Sequence, residues 1–284
     1  MSVRATGAAR VAGVAGRPIR HSLSPLLHNA WLEAAALDGL YAPFSPGEAG
    51  FSAFIEGLRG GVVRGLNITL PFKAAALALA DEASPLAKAA GAANLLLFHP
   101  DGRIEARNTD GEGLLYAFRR QAPGVDLMKR PIAILGAGGA GRGAAATLAA
   151  LGAVDIRIVN RSVDRAEAVA RDIPGCTPFA LADAAEALAG VGAVINATSA
   201  GLDGAGALDM DLSAVPSDAA AMDMVYKPLR TPFLEAAAAR GLTVVDGLDM
   251  LIGQAIPSFE AFFGAPPPEI DARTLLLAAL EGEG

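Results

Sequence analysis

A cluster of glycines placed between an apolar run and a helical stretch constrains this chain more than any other feature. Residues 131–135 (Pro-Ile-Ala-Ile-Leu) are short and wholly apolar, as expected for a strand buried on both faces of a parallel sheet. Gly136-Ala-Gly138-Gly139-Ala-Gly141 follows at once, and small residues continue in a helical stretch to Leu151. Each glycine has a physical task. Gly136 permits a tight turn, Gly138 lets the backbone approach a pyrophosphate, and Gly141 lets the helix pack closely on the strand. The helix start offers unpaired N–H groups and the positive end of its dipole to phosphates. A Gly-rich turn can be purely structural, but a loop that leaves a strand and opens a helix favours dinucleotide binding. Gly136, Ala137, Gly138, Gly139 and Ala140 are therefore the expected phosphate cradle.

The flanking pattern agrees. After the glycine loop the chain reads as strand 154–159, helix 163–171, strand 177–179, helix 182–188, strand 193–196, strand 220–225, helix 232–240 and strand 243–245. Such alternation predicts an α/β fold with a doubly wound sheet, that is, a Rossmann domain. The first third alternates as well. Strand 11–14 leads to a helix capped by Ser24, with Pro25 in its first turn, running to Ala36 and stopped by Gly39. Strand 41–44, helix 51–58, strand 62–68 and helix 71–80 follow. Runs 93–98 and 103–107 flank Pro100-Asp101-Gly102 as a hairpin. A connecting helix and loop over 111–130 separate this part from the middle. The tail is helical over 250–263 and 272–280, split by Pro266-Pro267-Pro268.

The tip of the second middle strand distinguishes between dinucleotides. An NAD site offers an acid there, roughly 20 residues beyond the glycines, to hold the ribose hydroxyls. Here the strand ends Asn160-Arg161-Ser162, nineteen residues after Gly141, and has no acid. Arg161 and, one turn later, Arg165 place two cations where a 2′-phosphate would lie. Two solvated arginines on a surface helix, with Asp164 between them, are the plainer alternative. The geometry favours NADP.

Composition removes several function classes. The hydrophobic fraction is 52%, which excludes a disordered chain. Mean hydropathy is +0.39, yet no uncharged apolar run approaches the ~18 residues of a spanning helix. The value comes from alanine. A net charge of −7 makes a nucleic-acid backbone a poor partner. Cys176 is the single cysteine, and the histidines are His21, His28 and His99. No internal disulfide can form, and one cysteine with three scattered histidines argues against a structural zinc site, so no metal is expected and a reducing, cytoplasmic setting is. The first ten residues carry Arg4 and Arg10 without the apolar core of a secretory signal; their acid-free composition is faintly like a transit peptide, and the favoured reading is a frayed end before a first strand at 10–15.

Polar residues gather at turns and strand ends in the first third: Ser22, Ser24, Asn67, Thr69, Lys73, Asn94 and Asp110. Each has a bland use. Ser24 and Asp110 can cap helices and Asn94 can satisfy a strand end. Together they offer hydroxyl, amide, carboxylate and ammonium groups to a polyhydroxylated small molecule.

These residues also carry a family pattern. The runs are Pro18-Ile-Arg-His-Ser-Leu-Ser-Pro25, Asn67-Ile-Thr-Leu-Pro-Phe-Lys73, Asn108-Thr-Asp-Gly111, the loop 136–141, residues 160–162, Asn196-Ala-Thr-Ser-Ala-Gly201, Asp223-Met-Val-Tyr226 and Gly247-Leu-Asp-Met-Leu-Ile-Gly-Gln254. In this order, and nearly end to end, the chain resembles the shikimate dehydrogenases. The resemblance implies NADPH-dependent, reversible reduction of 3-dehydroshikimate to shikimate in aromatic amino-acid biosynthesis. It implies Lys73 and Asp110 as the catalytic pair, Lys73 as proton donor and Asp110 orienting it while holding a substrate hydroxyl. Ser22, Ser24, Asn67, Thr69, Asn94, Asp110 and Gln254 become substrate ligands, with Tyr226 nearby. Asn160, Arg161, Ser162, Arg165 and Thr198 join the glycine loop at the cofactor, and Met224 and Gly247 lie beside the nicotinamide. The implied fold is a substrate-binding α/β domain, 1–110 with the returning helices 248–284, and an NADP-binding Rossmann domain, 111–247, around a cleft. A monomer or homodimer is expected.

There are departures from the pattern. Around Asn94 the chain reads Gly91-Ala-Ala-Asn-Leu95 where the family has Gly-Ala-Val-Asn-Thr, which removes a hydroxyl from an expected pocket edge. Leu23 between the two serines occurs in relatives that also accept quinate. A quinate/shikimate dehydrogenase of broader specificity, a methylene-tetrahydrofolate dehydrogenase of the same plan and a non-catalytic NADP-binding sensor are the alternatives. The serine pair argues against the second, and the presence of both Lys73 and Asp110 against the third.

Overall fold

The computed structural model describes residues 5–198, 200, 208 and 210–282. Ser199 and Gly201 of the 196–201 run, and the first four residues, lie outside them. The chain forms two compact units, 1–109 with 251–284, and 110–250.

The first unit is built on β1 (Arg10–Ala15), α1 (Ser24–Ala34), β2 (Gly39–Phe44), α2 (Phe51–Glu56), β3 (Val63–Ile68), α3 (Lys73–Leu79), β4 (Glu82–Ala83), α4 (Pro85–Ala90), β5 (Leu95–Phe98) and β6 (Ile104–Arg107). Its sheet runs β2-β1-β3-β5-β6-β4. β1, β2 and β3 are parallel. The hairpin β5–β6 is antiparallel and turns through Gly102 at φ +88. One core of this unit gathers Phe51, Ile55, Leu66, Phe72, Leu96 and Ile104. Phe51 and Phe72 stack within it at 4.2 Å.

The second unit follows with α5 (Asp110–Gln121), β7 (Ile132–Leu135), α6 (Gly139–Ala150), β8 (Ile156–Asn160), α7 (Val163–Asp172), β9 (Cys176–Ala180), α8 (Ala184–Leu188), β10 (Ala193–Asn196), β11 (Ala220–Asp223), α9 (Pro232–Ala239) and β12 (Thr243–Val245). All six strands are parallel, in the order β12-β11-β10-β7-β8-β9. Numbered from β7, that is the 6-5-4-1-2-3 arrangement of a dinucleotide fold. The central strands β7 and β10 are buried on both faces, in keeping with the apolar runs 132–135 and 193–195. Gly111 makes the α5–α6 contact feasible: a Cβ there would lie 1.9 Å from Thr147 Oγ1.

Two C-terminal helices complete the chain, α10 (Gly247–Phe263), which carries Pro257 in its interior, and α11 (Ala272–Gly282). Among the described residues no helix is long and apolar enough to cross a membrane.

Several local expectations need correcting. Ser24 does not cap α1. It is the first helical residue, the cap position belongs to Leu23, and no side chain caps the helix. The helix ends at Ala34 and turns through Ala36 at φ +51, so Gly39 is not its stop. Gly39 opens β2, where a Cβ would press on Leu32 at 2.9 Å and Phe263 at 3.1 Å. The strand expected over 220–225 ends at Asp223. α4 was not expected at all, although Ser84 caps it through Ala87 N–H, Pro85 opens it and Gly91 closes it at φ +62. Six residues are too few to show helical periodicity.

Candidate functional site

In the second unit the glycine loop occupies the switch point of the sheet, where strand order reverses between β7 and β10. Gly136 sits at φ +106, and a Cβ there would lie 2.9 Å from Thr198 Cγ2. A Cβ on Gly141 would fall 2.0 Å from the Gly136 carbonyl oxygen, so only glycine allows this approach. At Gly138 an added Cβ would meet nothing within 4 Å. That opening at the start of α6, beside unpaired N–H groups, fits a phosphate group. Gly139 and Ala140 form the first turn of α6.

Asn160 ties this loop to the next strand. Its Oδ1 accepts from Ala137 N–H at 3.2 Å, and its Nδ2 donates to the Ser162 carbonyl at 2.9 Å. Arg161 and Arg165 are both exposed at the start of α7, with Ser162 exposed between β8 and the helix. Among the described residues neither arginine forms an ion pair with Asp164, so both cations are available for a dianion.

A second polar cluster lies at the ends of β10 and β11. Asp223 is fully buried. Its carboxylate accepts from Asn196 Nδ2 (3.0 Å), Thr231 Oγ1 (2.7 Å) and Val225 N–H (3.0 Å). Burial pushes its pKa up, and these three hydrogen bonds oppose the rise. Asn196 Oδ1 accepts from Thr198 N–H (3.0 Å) and Oγ1 (2.7 Å). Met224 N–H donates to the Asn196 carbonyl. Gly247 packs so tightly that a Cβ would lie 2.5 Å from the Met224 carbonyl oxygen. Thr198, Met224 and Gly247 are thus held by one framework. Tyr226 follows in a loop, half-buried. Asp110, the first residue of α5, is 6% exposed.

In the first unit, Ser22 and Ser24 lie at the turn into α1, where Ser22 Oγ accepts from Ser24 N–H at 3.3 Å. With no capping duty, the Ser24 hydroxyl is explained less well by helix stability than its position promised. Thr69 lies past the end of β3, its N–H bonded to the Ala15 carbonyl, and its methyl group packs where a Gly16 Cβ would be 2.2 Å away. Lys73 is the first residue of α3, half-buried, its carbonyl accepting from Ala93 N–H. A helix N-terminus disfavours a cation, so helix stability does not ask for lysine there.

Asn67 and Asn94 are nearly fully buried and bonded to protein groups. Asn67 Oδ1 accepts from Tyr41 OH (2.7 Å), and its Nδ2 donates to Ser258 Oγ (2.8 Å) and the Asn94 carbonyl (3.2 Å). Asn94 Oδ1 accepts from Thr109 N–H (2.8 Å) and its Nδ2 donates to Thr109 Oγ1 (2.9 Å). The Gln254 carbonyl accepts from both Thr109 Oγ1 (3.0 Å) and Ser258 Oγ (3.1 Å). Gln254 Nε2 turns back to the Leu251 carbonyl. Ala93 and Leu95, the two departures beside Asn94, are fully buried, and Ala93 belongs to the core, so these changes are absorbed in packing.

Comparison with known proteins agrees with this geometry. Residues 14–96 match the model of the shikimate dehydrogenase substrate binding domain, and residues 119–203 that of shikimate / quinate 5-dehydrogenase. The chain is 55% identical over 277 residues to a shikimate dehydrogenase (NADP(+)) of Caulobacter vibrioides, covering 97% of each.

The chain belongs to the shikimate dehydrogenase family.

Solved members share its fold. Shikimate 5-dehydrogenase from Thermus thermophilus, in complex with NADP(H) and shikimate, is 37% identical, with a TM-score of 0.83 over 95% of this chain and 98% of that one. Quinate dehydrogenase from Corynebacterium glutamicum, in complex with NAD, is 27% identical, with a TM-score of 0.84 over 95% and 99%. Of the residues in these polar clusters, Tyr41, Thr109, Ser258, Asp223 and Thr231 were not picked out from sequence. Thr109 and Asp223 stand inside matching runs, but Tyr41 and Ser258 carried no local signal.

Proposed function

We propose that this chain catalyses the reversible, NADPH-dependent reduction of 3-dehydroshikimate to shikimate. The observation that carries the reading is the pair of built polar sets: a glycine cradle with two exposed arginines in one unit, and a cluster of hydroxyl, amide and ammonium groups in the other. Together with the family membership they call for a phosphorylated dinucleotide and a polyhydroxylated acid.

Bound NADPH supplies the hydride to the substrate carbonyl carbon. Gly138 and the first turn of α6 receive the pyrophosphate, Asn160 fixes the loop against β8, and Arg161 and Arg165 hold the 2′-phosphate. Thr198, Met224 and Gly247 shape the nicotinamide end. Lys73 places an ammonium at the carbonyl oxygen, stabilises the charge that develops there and gives it a proton, so that ketone, hydride and proton account for the alcohol. General acid catalysis of this kind is worth roughly 10²–10⁴-fold. Asp110 accepts a substrate hydroxyl, and Ser22, Ser24, Thr69, Asn94, Tyr226 and Gln254 hold the remaining polar groups. Asn67 has both amide hydrogens engaged, so it acts through its neighbours more than on substrate directly. A soluble, cytoplasmic monomer or homodimer without a nucleic-acid partner fits the acidic charge and single cysteine.

Quinate is the second reading, favoured by Leu23, which is buried at the cap of α1 between the two serines. The test is the reductive direction. With 3-dehydroshikimate, NADPH is consumed one for one and shikimate accumulates. No NADPH consumption with this ketone or with 3-dehydroquinate overturns the proposal.

A further inference from the structure

The polar groups around Asn67 form one continuous hydrogen-bonded network, in which main-chain groups of fixed polarity orient both amides; the Thr109 hydroxyl faces both the Gln254 carbonyl at 3.0 Å and Asn94 Oδ1 at 3.3 Å. A main-chain carbonyl can only accept, and a main-chain N–H can only donate. The Gln254 carbonyl therefore takes the Ser258 and Thr109 hydroxyl protons, at 3.1 and 3.0 Å. Ser258 Oγ, having given its proton away, must accept from Asn67, which is 2.8 Å distant. The Asn94 carbonyl must also accept from Asn67. Both Asn67 amide hydrogens are thereby spent, Nδ2 is fixed toward Ser258, and Oδ1 is left to take the Tyr41 proton at 2.7 Å. The same logic fixes Asn94, whose Oδ1 faces Thr109 N–H. A flip of either amide would set acceptor against acceptor or donor against donor.

Ser258, Tyr41 and Thr109 are members of the network outside the expected substrate ligands, and of these Ser258 and Tyr41 also stand outside every matching sequence run. Ser258 is fully buried and Tyr41 nearly so. Ser258 lies one helical turn beyond Gln254, just after Pro257. Tyr41 stacks on His28 at 4.0 Å with rings almost parallel, which restrains the phenol. Tyr41 engages the Asn67 oxygen, Ser258 engages the Asn67 nitrogen and the Gln254 carbonyl, Asn94 joins through its carbonyl to Asn67, and all partners belong to the first unit.

We infer that Ser258 and Tyr41 are positioning residues for the substrate, holding Asn67, Asn94 and the Gln254 turn of α10 in the orientation that receives shikimate. The inference rests on the proposed function. It does not place either residue in contact with substrate. Losing one hydrogen bond of this kind costs about tenfold in an equilibrium, and the cost here falls on shikimate rather than on the dinucleotide.

The test uses Ser258→Ala, Tyr41→Phe and the hydroxyl-retaining Ser258→Thr in the full chain. Shikimate KM, shikimate Kd by calorimetry, NADP⁺ KM, kcat and Tm are measured for each. Ser258→Ala and Tyr41→Phe are expected to raise shikimate KM and Kd by about tenfold, with NADP⁺ KM within about twofold and kcat within about threefold of wild type. Ser258→Thr restores shikimate binding even where its added methyl lowers Tm. If shikimate KM and Kd in both variants stay within about twofold of wild type while Tm falls, the network is structural only and the inference is overturned. Should Ser258→Ala fail to fold, Tyr41→Phe decides alone, because it removes one oxygen and keeps the ring. An inactive wild type overturns the proposed function, whereas an active wild type with unmoved variants overturns this inference alone.

Discussion

Lys73 and His28 show how differently two titratable side chains can be used. Lys73 opens α3, where the helix dipole gives no reason for a cation, and in the proposed function its value lies in the proton it delivers. Replacing it by Ala is expected to lower kcat by at least about a hundredfold while shikimate KM stays within a few-fold. Steady-state kinetics checks this, and a loss confined to KM would reduce Lys73 to a binding residue. His28 is fully buried among Trp31, Tyr41 and Phe259, and among the described residues neither ring nitrogen has a hydrogen-bond partner. Burial lowers its pKa from 6.5 to about 3. The unfolded chain therefore binds a proton on this residue between those values when the folded chain does not. Its contribution to stability is intact above pH 6.5 and is lost progressively as pH falls toward 3. From pH 7 to 4.5 that amounts to roughly 2–3 kcal/mol. His28→Phe keeps a ring against Tyr41 and removes the titration, so its urea midpoint should fall less over this range than that of wild type. Parallel declines would contradict the assignment. His28 was visible in the sequence only as one of three histidines, because burial among aromatics from α1, β2 and α10 is a tertiary fact.

At the level of elements, the β7–loop–α6 unit was the most legible part of the chain. An apolar run, three glycines at fixed spacing and a small-residue helix left little freedom, and the contacts at Gly136 and Gly141 show why. Gly141→Ala would drive a Cβ to 2.0 Å from the Gly136 carbonyl oxygen. It should weaken NADPH binding by more than about tenfold and lower stability by roughly 1–3 kcal/mol. Calorimetry and thermal unfolding read both, and an unchanged Kd would show the loop to be dispensable. The start of α7 makes a separate prediction. Replacing Arg161 and Arg165 together by Ala should raise KM for NADPH by about a hundredfold and leave KM for NADH nearly unchanged. Equal changes would return both arginines to the solvated surface. Elements set by distant partners were harder to read. Ser24 looked like a cap, but the chain enters α1 through Leu23. Gly39 looked like a helix stop, but close packing on Leu32 and Phe263 demands it in β2. Local patterns cannot distinguish a glycine that ends a helix from one that admits a side chain from the far end of the chain.

Across the molecule, the doubly wound order of the second sheet and the mixed sheet of the first follow from alternation and turn chemistry in the sequence. The polar networks do not. Asn67 and Ser258 are 191 residues apart yet share a hydrogen bond, and Asp223 meets Asn196 across adjacent strands. Such pairs arise only when the topology closes, so the residues that orient the proposed ligands were the least legible of all. Chemistry-bearing residues at turns, such as Lys73 and Asp110, stood out because the family motif marks them. In the proposed function the two polar sets serve one activity, and a four-way comparison decides it: kcat/KM for shikimate and quinate, each with NADP⁺ and NAD⁺, followed by nicotinamide absorbance. Shikimate with NADP⁺ should be the best pair by at least about tenfold. Absence of NADP⁺ reduction by shikimate, at any concentration of either, would contradict the account.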